Sequence, residues 1–227
     1  MMISPEGYYE YHLKDKNADQ IMTIIRGLKR EINRLRQVLE DPEYPYRPDH
    51  IDPDESVQLW CNRLYLERAK LALVEAGGTY IPTKAEEKAL AFEKDLELIQ
   101  SLTFSIGGFF SGHKIRTYTI NGEAVNLLID HSLSFAPPEA DSETECLLTK
   151  ADLVAGLREL HLNEWRKEYY NPCVLDGTQW ELEIRFSDSR RPLKIYGSNA
   201  YPYNFDIFLQ LLNIQEDEAE EYLDEDE

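Results

Sequence analysis

The sequence predicts an α+β protein, in which an N-terminal helical segment of about three helices precedes a small antiparallel sheet of four or five strands with two packed helices. The first hundred residues repeat apolar side chains every three or four positions, which is typical of amphipathic helices. After Leu102 the apolar period changes to two, which is typical of strands. Each of two predicted hairpins is then followed by a helical pattern. This order of elements argues against a doubly wound parallel sheet.

At 227 residues the chain is long enough to bury a core without disulfide or metal support. We divide it into a helical segment (1–100), an α+β domain (101–213) and an acidic tail (214–227). The start of the chain lacks the basic and apolar parts of a signal peptide, and no window approaches the roughly 18 apolar residues of a membrane span. These observations predict a cytoplasmic protein with no membrane association.

The first helix is predicted over residues 15–39, where apolar side chains recur in steps of four and three. This spacing places them in one narrow stripe, as in the seam of a coiled coil. The stripe consists of Ile21, Ile25, Leu28, Ile32, Leu35 and Leu39. Basic residues occupy the other side, and Pro42 should end the helix because it disfavours helical geometry in the residue before it. The seam makes a homodimer one expectation.

A second helix is predicted over residues 55–75, with Gly77 and Gly78 as its stop. Its predicted inward face consists of Val57, Trp60, Cys61, Leu64, Leu71 and Val74. We expect the first two helices to pack as an antiparallel pair. A third helix begins at Thr83, where Glu86 completes a capping box. Its predicted inward face consists of Ala85, Ala89, Phe92, Leu96 and Ile99.

The strand that begins at Leu102 runs into a glycine-rich segment, 107–112, which suggests a bulge or a tight turn. Two further β-rich runs flank the pair Asn121 and Gly122, which favours a type I′ hairpin turn. The segment 134–145 is rich in Pro, Asp, Glu and Ser and is predicted to be a loop.

A fourth helix is predicted after Thr149, a residue that can cap it. Its predicted inward residues are Leu153, Leu157, Leu160 and Trp165. The run 180–186 then alternates strictly between apolar and charged residues, so one face of the second hairpin should be buried and the other wet. The inward residues of this run are Trp180, Leu182, Ile184 and Phe186. A last helix is inferred over 203–212.

The segment G-S-N-A-Y-P-Y-N-F-D, from Gly197 to Asp206, is the most specific stretch of the sequence. Glycine, asparagine and proline in this order are suited to turning a strand into a helix. The main interpretation is therefore a structural corner with buried aromatic anchors. The alternative is a binding surface for a partner protein, because tyrosines combine apolar area with one polar group. The candidate binding residues are Asn199, Tyr201, Tyr203 and Asn204.

Nearly half of the net charge of −19 lies in the tail, where nine acidic residues and no basic residue follow Gln215. Such a charge disfavours direct nucleic-acid binding, which needs a net attraction to phosphate. It favours a protein partner with a basic surface. Candidate binding residues in the tail are Glu216, Asp217, Glu218, Glu220 and Glu221. The alternative interpretation is a solubilising tail, since exposed charge pairs contribute little.

The sequence contains no motif for a catalytic or cofactor site. The segment 107–112 lacks the pattern of a phosphate-binding loop, the five histidines lack metal-ligand spacing, and no nucleophile elbow occurs. We therefore expect no cofactor and no metal, and we favour a non-enzymatic protein. An enzyme would need a concave pocket that unites the segment 104–110, His113 or His131, and the last hairpin.

Several distinctive motifs are spread over most of the chain, among them F-S-I-G-G-F-F, L-D-G-T-Q-W-E-L-E-I and G-S-N-A-Y-P-x-N-F-D. Together they resemble an uncharacterised bacterial family of hypothetical cytoplasmic proteins. The resemblance implies no activity. It does not include the tail after Asn213, so any role of the tail would be particular to this protein.

The function favoured by these observations is that of a non-enzymatic protein–protein interaction module. Its most specific form is an acidic inhibitor that occupies a basic, nucleic-acid-binding surface of a partner, as in phage or mobile-element counter-defence. One alternative is an enzyme of unknown class with a site near the sheet. Another is a structural protein that self-associates through the seam at 21–39.

Overall fold

In a computed structural model the chain forms two compact units, Met1–Thr83 and Lys84–Glu227. The structure describes residues 2–44, 53–108, 112–132, 148–174, 176–188 and 190–214. The predicted α+β class is confirmed. The boundary between the units assigns the third predicted helix to the same unit as the sheet, whereas the sequence groups it with the first two helices.

The first unit is built on two long helices. Its helices are α1 (Pro5–Tyr8), α2 (Ala18–Leu39) and α3 (Glu55–Glu75), and a π-helical turn over Tyr9–Leu13 continues α1. Helix α2 begins later than predicted because Asn17 caps it. The Asn17 side chain accepts a hydrogen bond from the Gln20 amide, and the Gln20 side chain accepts one from the Asn17 amide, each at 3.0 Å. The predicted end of α2 before Pro42 and the predicted bounds of α3 are confirmed.

Five of the six residues of the apolar stripe predicted on α2 are buried in the folded chain, and Leu39 is half-buried. Ile21, Ile25 and Leu28 share a core with α3, and Ile32 and Leu35 are also buried. The α3 residues in this core are Cys61, Tyr65, Ala69, Ala72 and Leu73. The first two helices therefore pack against each other, as predicted. Self-association through the α2 seam would require its buried side chains to be uncovered first.

Except for Cys61, the inward face predicted for α3 is wrong. Val57, Trp60, Leu71 and Val74 are 41%, 63%, 60% and 63% exposed, and Leu64 is half-buried. Helix α3 carries apolar residues on two opposite faces, so their period alone does not decide which face is buried. The face that packs on α2 contains Ala69 and Ala72, whose small side chains let the isoleucines and leucines of α2 approach closely.

The second unit combines three helices with a six-stranded sheet among its described residues. The helices are α4 (Lys84–Asp95), α5 (Lys150–Glu159) and α6 (Phe205–Leu211). The strands are β1 (Ile99–Gly108), β2 (Gly112–Asn121), β3 (Ala124–His131), β4 (Glu168–Tyr170), β5 (Thr178–Phe186) and β6 (Leu193–Ser198). Ile99 begins the first strand, whereas the sequence pattern predicts it to lie on the third helix.

The strand order is β3-β2-β1-β5-β6-β4, so β3 and β4 form the two edges. Neighbouring strands are antiparallel except for β4 and β6, which are parallel. The sheet is therefore mixed and has six strands, where the sequence predicts four or five antiparallel ones. The pattern misses β4 because three residues are too few to show a period of two.

The turn between β2 and β3 differs from the predicted type. Asn121 pairs with Ala124, which leaves Gly122 and Glu123 as the central residues. Only Gly122 of these two has a positive φ, 65°. A type I′ turn needs positive φ at both central positions, whereas a type II′ turn needs it at the first. The hairpin is thus confirmed, but the predicted type I′ turn is wrong.

Helices α5 and α6 cover one face of the sheet. This core contains the inward residues predicted for α5 and β5, namely Leu153, Leu157, Leu160, Trp165, Trp180, Leu182, Ile184 and Phe186. Thr149 caps α5 as predicted: its hydroxyl oxygen accepts from the Asp152 amide at 3.1 Å. The Thr149 hydroxyl also donates to the Asp152 carboxylate at 2.6 Å, which lowers the pKa of that carboxyl. The opposite face of β5 carries polar and charged side chains, as its alternation predicts.

Candidate functional site

The corner between β6 and α6 is held by a buried asparagine. Asn204 is 5% exposed, and its side-chain oxygen accepts a hydrogen bond from the Trp165 indole at 3.0 Å. Its amide nitrogen donates to the Leu160 carbonyl at 2.7 Å. Buried polar groups are costly unless they are paired. The Asn204 side chain is therefore committed to fixing the start of α6 to the segment after α5.

Gly197 and Asn199 meet the geometric demands of the same corner. A Cβ atom at Gly197 would contact the indole of Trp180 and lie 2.7 Å from the carbonyl oxygen of Ala200. That carbonyl accepts a hydrogen bond from the Trp180 indole at 3.0 Å. Asn199 has a φ of 51°, a region in which asparagine is enriched, and its amide donates to the Thr178 carbonyl at 2.9 Å.

The two tyrosines of the corner are half-buried. The Tyr201 ring lies 4.8 Å from the Phe205 ring between centroids, and burial raises the pKa of its phenol. The Tyr203 hydroxyl donates to the Glu164 carboxylate at 3.2 Å. The fold thus brings Asn199, Tyr201, Tyr203 and Asn204 together, and contacts within the unit engage each of them. A role for this group in partner binding stays a prediction.

The acidic tail residues predicted to bind a partner lie outside the described residues. They are Glu216, Asp217, Glu218, Glu220 and Glu221. Of the basic residues on α2, Arg34 forms an ion pair with Glu31 at 2.7 Å. The Lys29 ammonium lies 5.0 Å from the centroid of the Tyr80 ring. Part of the basic face of α2 is therefore engaged within its own unit.

The polar face of the sheet has a regular arrangement across five strands. One row from β2 to β4 consists of His113, Gly107, Gln179, Ser198 and Tyr170. The next row consists of Ile115, Ser105, Glu181, Tyr196 and Glu168. Side chains of paired residues share a face of the sheet. A side chain at Gly107 would collide with the backbone of Gly112 and His113, so only glycine fits at this point of the first row.

A cleft of about 420 Å³ lies on this polar face, and we call it the sheet-face cleft. The side chains in its lining that could contact a ligand include those of Ser105, His113, Glu168, Tyr170, Glu181 and Tyr196. The volume is within the range of small-ligand pockets. The cleft is lined by Ser105 from the segment 104–110, by His113 and by residues of the β5–β6 hairpin. On the sequence evidence, an enzyme pocket would need to unite these three parts of the chain.

Tyrosine and carboxylate side chains meet in the sheet-face cleft. Tyr170 is 66% exposed and Tyr196 is 49% exposed. The Tyr196 hydroxyl donates a hydrogen bond to the Glu168 carboxylate, which raises the pKa of that phenol. A ligand in the cleft would thus meet two aromatic rings and a carboxylate that is already oriented by one of them.

Glu181 is the second carboxylate of the cleft, and it has only a weak contact with a cation. Lys194 lies 3.5 Å from Glu181 but 2.5 Å from Glu183, which is on the same face. The hydrogen bond from Lys194 holds the pKa of the Glu183 carboxyl below its usual range. Glu181 therefore keeps most of its capacity to accept hydrogen bonds from a ligand.

Ser105 and His113 form a polar contact at the side of the cleft. The Ser105 hydroxyl oxygen lies 3.1 Å from Nδ1 of His113. Such a pair is the minimal arrangement of a nucleophile and a base. In the part of the chain that the structure describes, no carboxylate bonds the other ring nitrogen of His113 to orient it, as a catalytic triad would require.

For an enzyme pocket, sequence reasoning named His113, the segment that contains Ser105, and the last hairpin, but it did not single out Ser105, Glu181 or Tyr196 and it missed Glu168 and Tyr170. The outward residues of β5 and β6 could have been found by extending the period of two through the second hairpin, because this register places Glu181 opposite Tyr196. Glu168 and Tyr170 had no such signal, since β4 has only three residues. Their position beside β6 depends on parallel pairing between strands that are distant in sequence, which no local pattern predicts.

The described ranges contain neither a cluster of metal-ligating side chains nor a membrane-spanning helix. No group of three or more His, Cys, Asp or Glu side chains there is arranged to hold a metal ion. No helix there is long and apolar enough to cross a membrane. Cys61 is a buried free thiol and Cys173 an exposed one, whereas Cys146 and His50 lie outside the described residues.

Comparison of the chain with family models, with curated proteins and with solved structures gave no match. The resemblance to a bacterial family that the sequence motifs indicate therefore stays a prediction.

Proposed function

We propose that this protein is a non-enzymatic protein-binding module, and that its sheet-face cleft receives a lysine or arginine side chain from a basic surface of the partner. The observation that carries this proposal is the combination of two exposed tyrosines, Tyr170 and Tyr196, with two carboxylates, Glu168 and Glu181, in one cleft. An acidic inhibitor of a nucleic-acid-binding protein is its most specific form.

The chemistry of a cationic side chain matches that of the cleft. The carboxylates of Glu168 and Glu181 can accept charge-assisted hydrogen bonds from a guanidinium or ammonium group. The rings of Tyr170 and Tyr196 can cover its aliphatic part and attract its charge through cation–π contacts. The net charge of −19 adds a long-range attraction that speeds the encounter with a basic partner.

The test uses a fluorescein-labelled peptide of alternating Arg and Gly as a probe, with binding measured by anisotropy. Tyr196→Ala and the double variant Glu168→Gln/Glu181→Gln should each weaken binding at least fivefold. The matched control is Glu123→Gln/Glu159→Gln, which removes the same charge from two exposed carboxylates of the same unit outside the cleft. It should change the affinity less than twofold.

Two outcomes would contradict the proposal. If the cleft variants bind the probe as tightly as the original protein, the cleft is not the binding site. If the control weakens binding as much as the double variant does, the probe responds to charge alone. Deleting residues 215–227 tests the tail separately, and it should slow association at low salt with little effect at high salt.

A second candidate function is hydrolysis at Ser105, favoured by the 3.1 Å contact between its hydroxyl and Nδ1 of His113. In that case Ser105 would attack an electrophilic centre while His113 accepts its proton. A fluorophosphonate probe tests this directly, because attack on phosphorus displaces fluoride and leaves a stable label. Labelling that disappears in Ser105→Ala would support hydrolysis. Absence of label, or equal label in the variant, would exclude this role for Ser105.

A further inference from the structure

Four of the six large apolar residues that are exposed in the described part of the first unit lie on the outward face of α3. Its residues form what we call the outer stripe, namely Val57, Trp60, Leu64, Leu71 and Val74. Four of them are between 41% and 63% exposed. We propose that the outer stripe is the interface of a homodimer in which α3 packs antiparallel against α3 of a second copy. This inference is independent of the proposed function of the sheet-face cleft.

The spacing of the outer stripe is that of a coiled-coil seam. Its members follow one another in steps of three, four, seven and three, and Glu67 occupies the one seam position that is not apolar. At 1.5 Å per residue the stripe is about 26 Å long. It lies on the side of α3 opposite the residues that pack on α2, so a partner helix could reach it without disturbing that core.

The outer stripe is complementary to itself, which is the requirement for a two-fold interface. In an antiparallel pair centred between Leu64 and Glu67, Val57 lies opposite Val74 of the second copy. Trp60 lies opposite Leu71 of the second copy in the same register. Each of the four most exposed apolar residues is then matched by another one. This match favours a second copy over an unrelated helix, for which no such symmetry is needed.

The charged residues beside the stripe fit the same register. Glu67 receives a hydrogen bond from Lys70 at 2.7 Å, so its carboxylate is directed to the side of the stripe that Arg63 borders. In the antiparallel register Glu67 lies opposite Leu64 of the second copy, next to Arg63 of that copy. Because the pair has two-fold symmetry, the Glu67 carboxylate of each copy lies next to Arg63 of the other copy.

The first test measures the mass of the full chain by light scattering and sedimentation over a wide concentration range. We expect a dimer that dissociates on dilution, and Trp60→Asp should raise the dissociation constant at least tenfold. The matched control is Leu90→Asp, a comparable change at a residue that is 51% exposed on α4. It should leave the dissociation constant within twofold. A protein that stays monomeric at all concentrations, or equal effects of the two changes, would overturn the proposal.

The second test determines the register by disulfide trapping in a background without Cys146 and Cys173. Val57→Cys/Val74→Cys should form a covalent dimer on mild oxidation, because positions 57 and 74 of different copies lie opposite each other. The same positions within one copy are about 26 Å apart and cannot be bridged. Val57→Cys alone should stay uncross-linked. Efficient cross-linking of this single variant would indicate a parallel pair and overturn the antiparallel register.

Discussion

The corner from Gly197 to Phe205 and the sheet-face cleft lie side by side, yet they use their side chains in opposite ways. The corner has the most specific residues in the sequence, and Gly197, Asn199 and Asn204 are all engaged by packing or hydrogen bonds within the unit. The cleft has residues of ordinary types, and Tyr170 and Tyr196 remain largely exposed. A distinctive motif therefore indicates a demanding fold here, while the chemistry open to a ligand lies beside it.

The physical reason is that the two regions differ in how strictly the backbone and its neighbours restrict the residue at each position. A corner that turns a strand into a helix needs particular backbone angles and close approaches, which few residues can meet. The polar face of a sheet tolerates many residues, because each outward side chain meets mainly solvent and its cross-strand neighbours. Changes at the corner should therefore affect stability, and changes in the cleft should affect binding.

The largest effect is expected for Gly197→Ala, which should lower the free energy of unfolding by about 3 kcal/mol. The added methyl group would contact the Trp180 indole and the Ala200 carbonyl, and neither can move without breaking the hydrogen bond between them. Urea unfolding followed by circular dichroism measures the change. The control is Gly27→Ala, where nothing lies within 4 Å of the new atom. If Gly197→Ala lowers the free energy of unfolding by less than about 0.5 kcal/mol, the corner can relax around the new methyl group. The corner would then tolerate changes as the polar face of the sheet does.

A smaller loss, about 2 kcal/mol, is expected for Asn204→Ala, because the Trp165 indole and the Leu160 carbonyl would both be left without their partner. The same unfolding measurement applies. Asn126→Ala, at an exposed position on β3, serves as the control and should change stability by less than about 0.5 kcal/mol. Equal effects at the two positions would mean that the buried hydrogen bonds of the corner are not decisive.

On the polar face, Glu183→Gln should cost only about 0.5 kcal/mol at neutral pH, because the Lys194 partner is largely exposed. The pKa of Glu183 is lowered in the folded protein by Lys194. Its stabilising contribution is therefore present above the ordinary pKa of glutamate and is lost as the pH falls through the lowered value. The stability difference between the original protein and the variant should shrink on acidification. A difference that grows in acid would contradict this assignment.

The smallest change in stability, below about 0.5 kcal/mol, is expected for Glu168→Gln in the cleft. Its informative effect is on Tyr196, whose phenol pKa is raised by the hydrogen bond to Glu168. Removal of the carboxylate charge should lower that pKa toward the ordinary value of tyrosine. NMR titration of ¹³C-labelled tyrosine, with Tyr196→Phe to assign the signal, measures the shift. An unchanged Tyr196 titration would show that the two side chains are not coupled in solution.

The sequence predicted most of the elements because their signals are local. Thr149 begins a helix through contacts within the next three residues, and the apolar and polar residues of β5 alternate from Trp180 to Phe186. The candidate site was harder to predict. His113 was recognised as a candidate, but Glu168 and Tyr170 belong to a strand that exists only through its pairing with β6.

The sequence by itself determined the α+β class, the bounds of α3, the cap of α5 and the buried face of β5, since these depend on periodicity and on neighbouring residues. The tertiary structure alone decided which of the two apolar faces of α3 is buried, because the small side chains of Ala69 and Ala72 permit closer packing than the larger outer stripe. It also decided that β4 joins the sheet and that the rows of β1, β5 and β6 line a cleft. These outcomes depend on contacts between residues far apart in the chain, which no local pattern records.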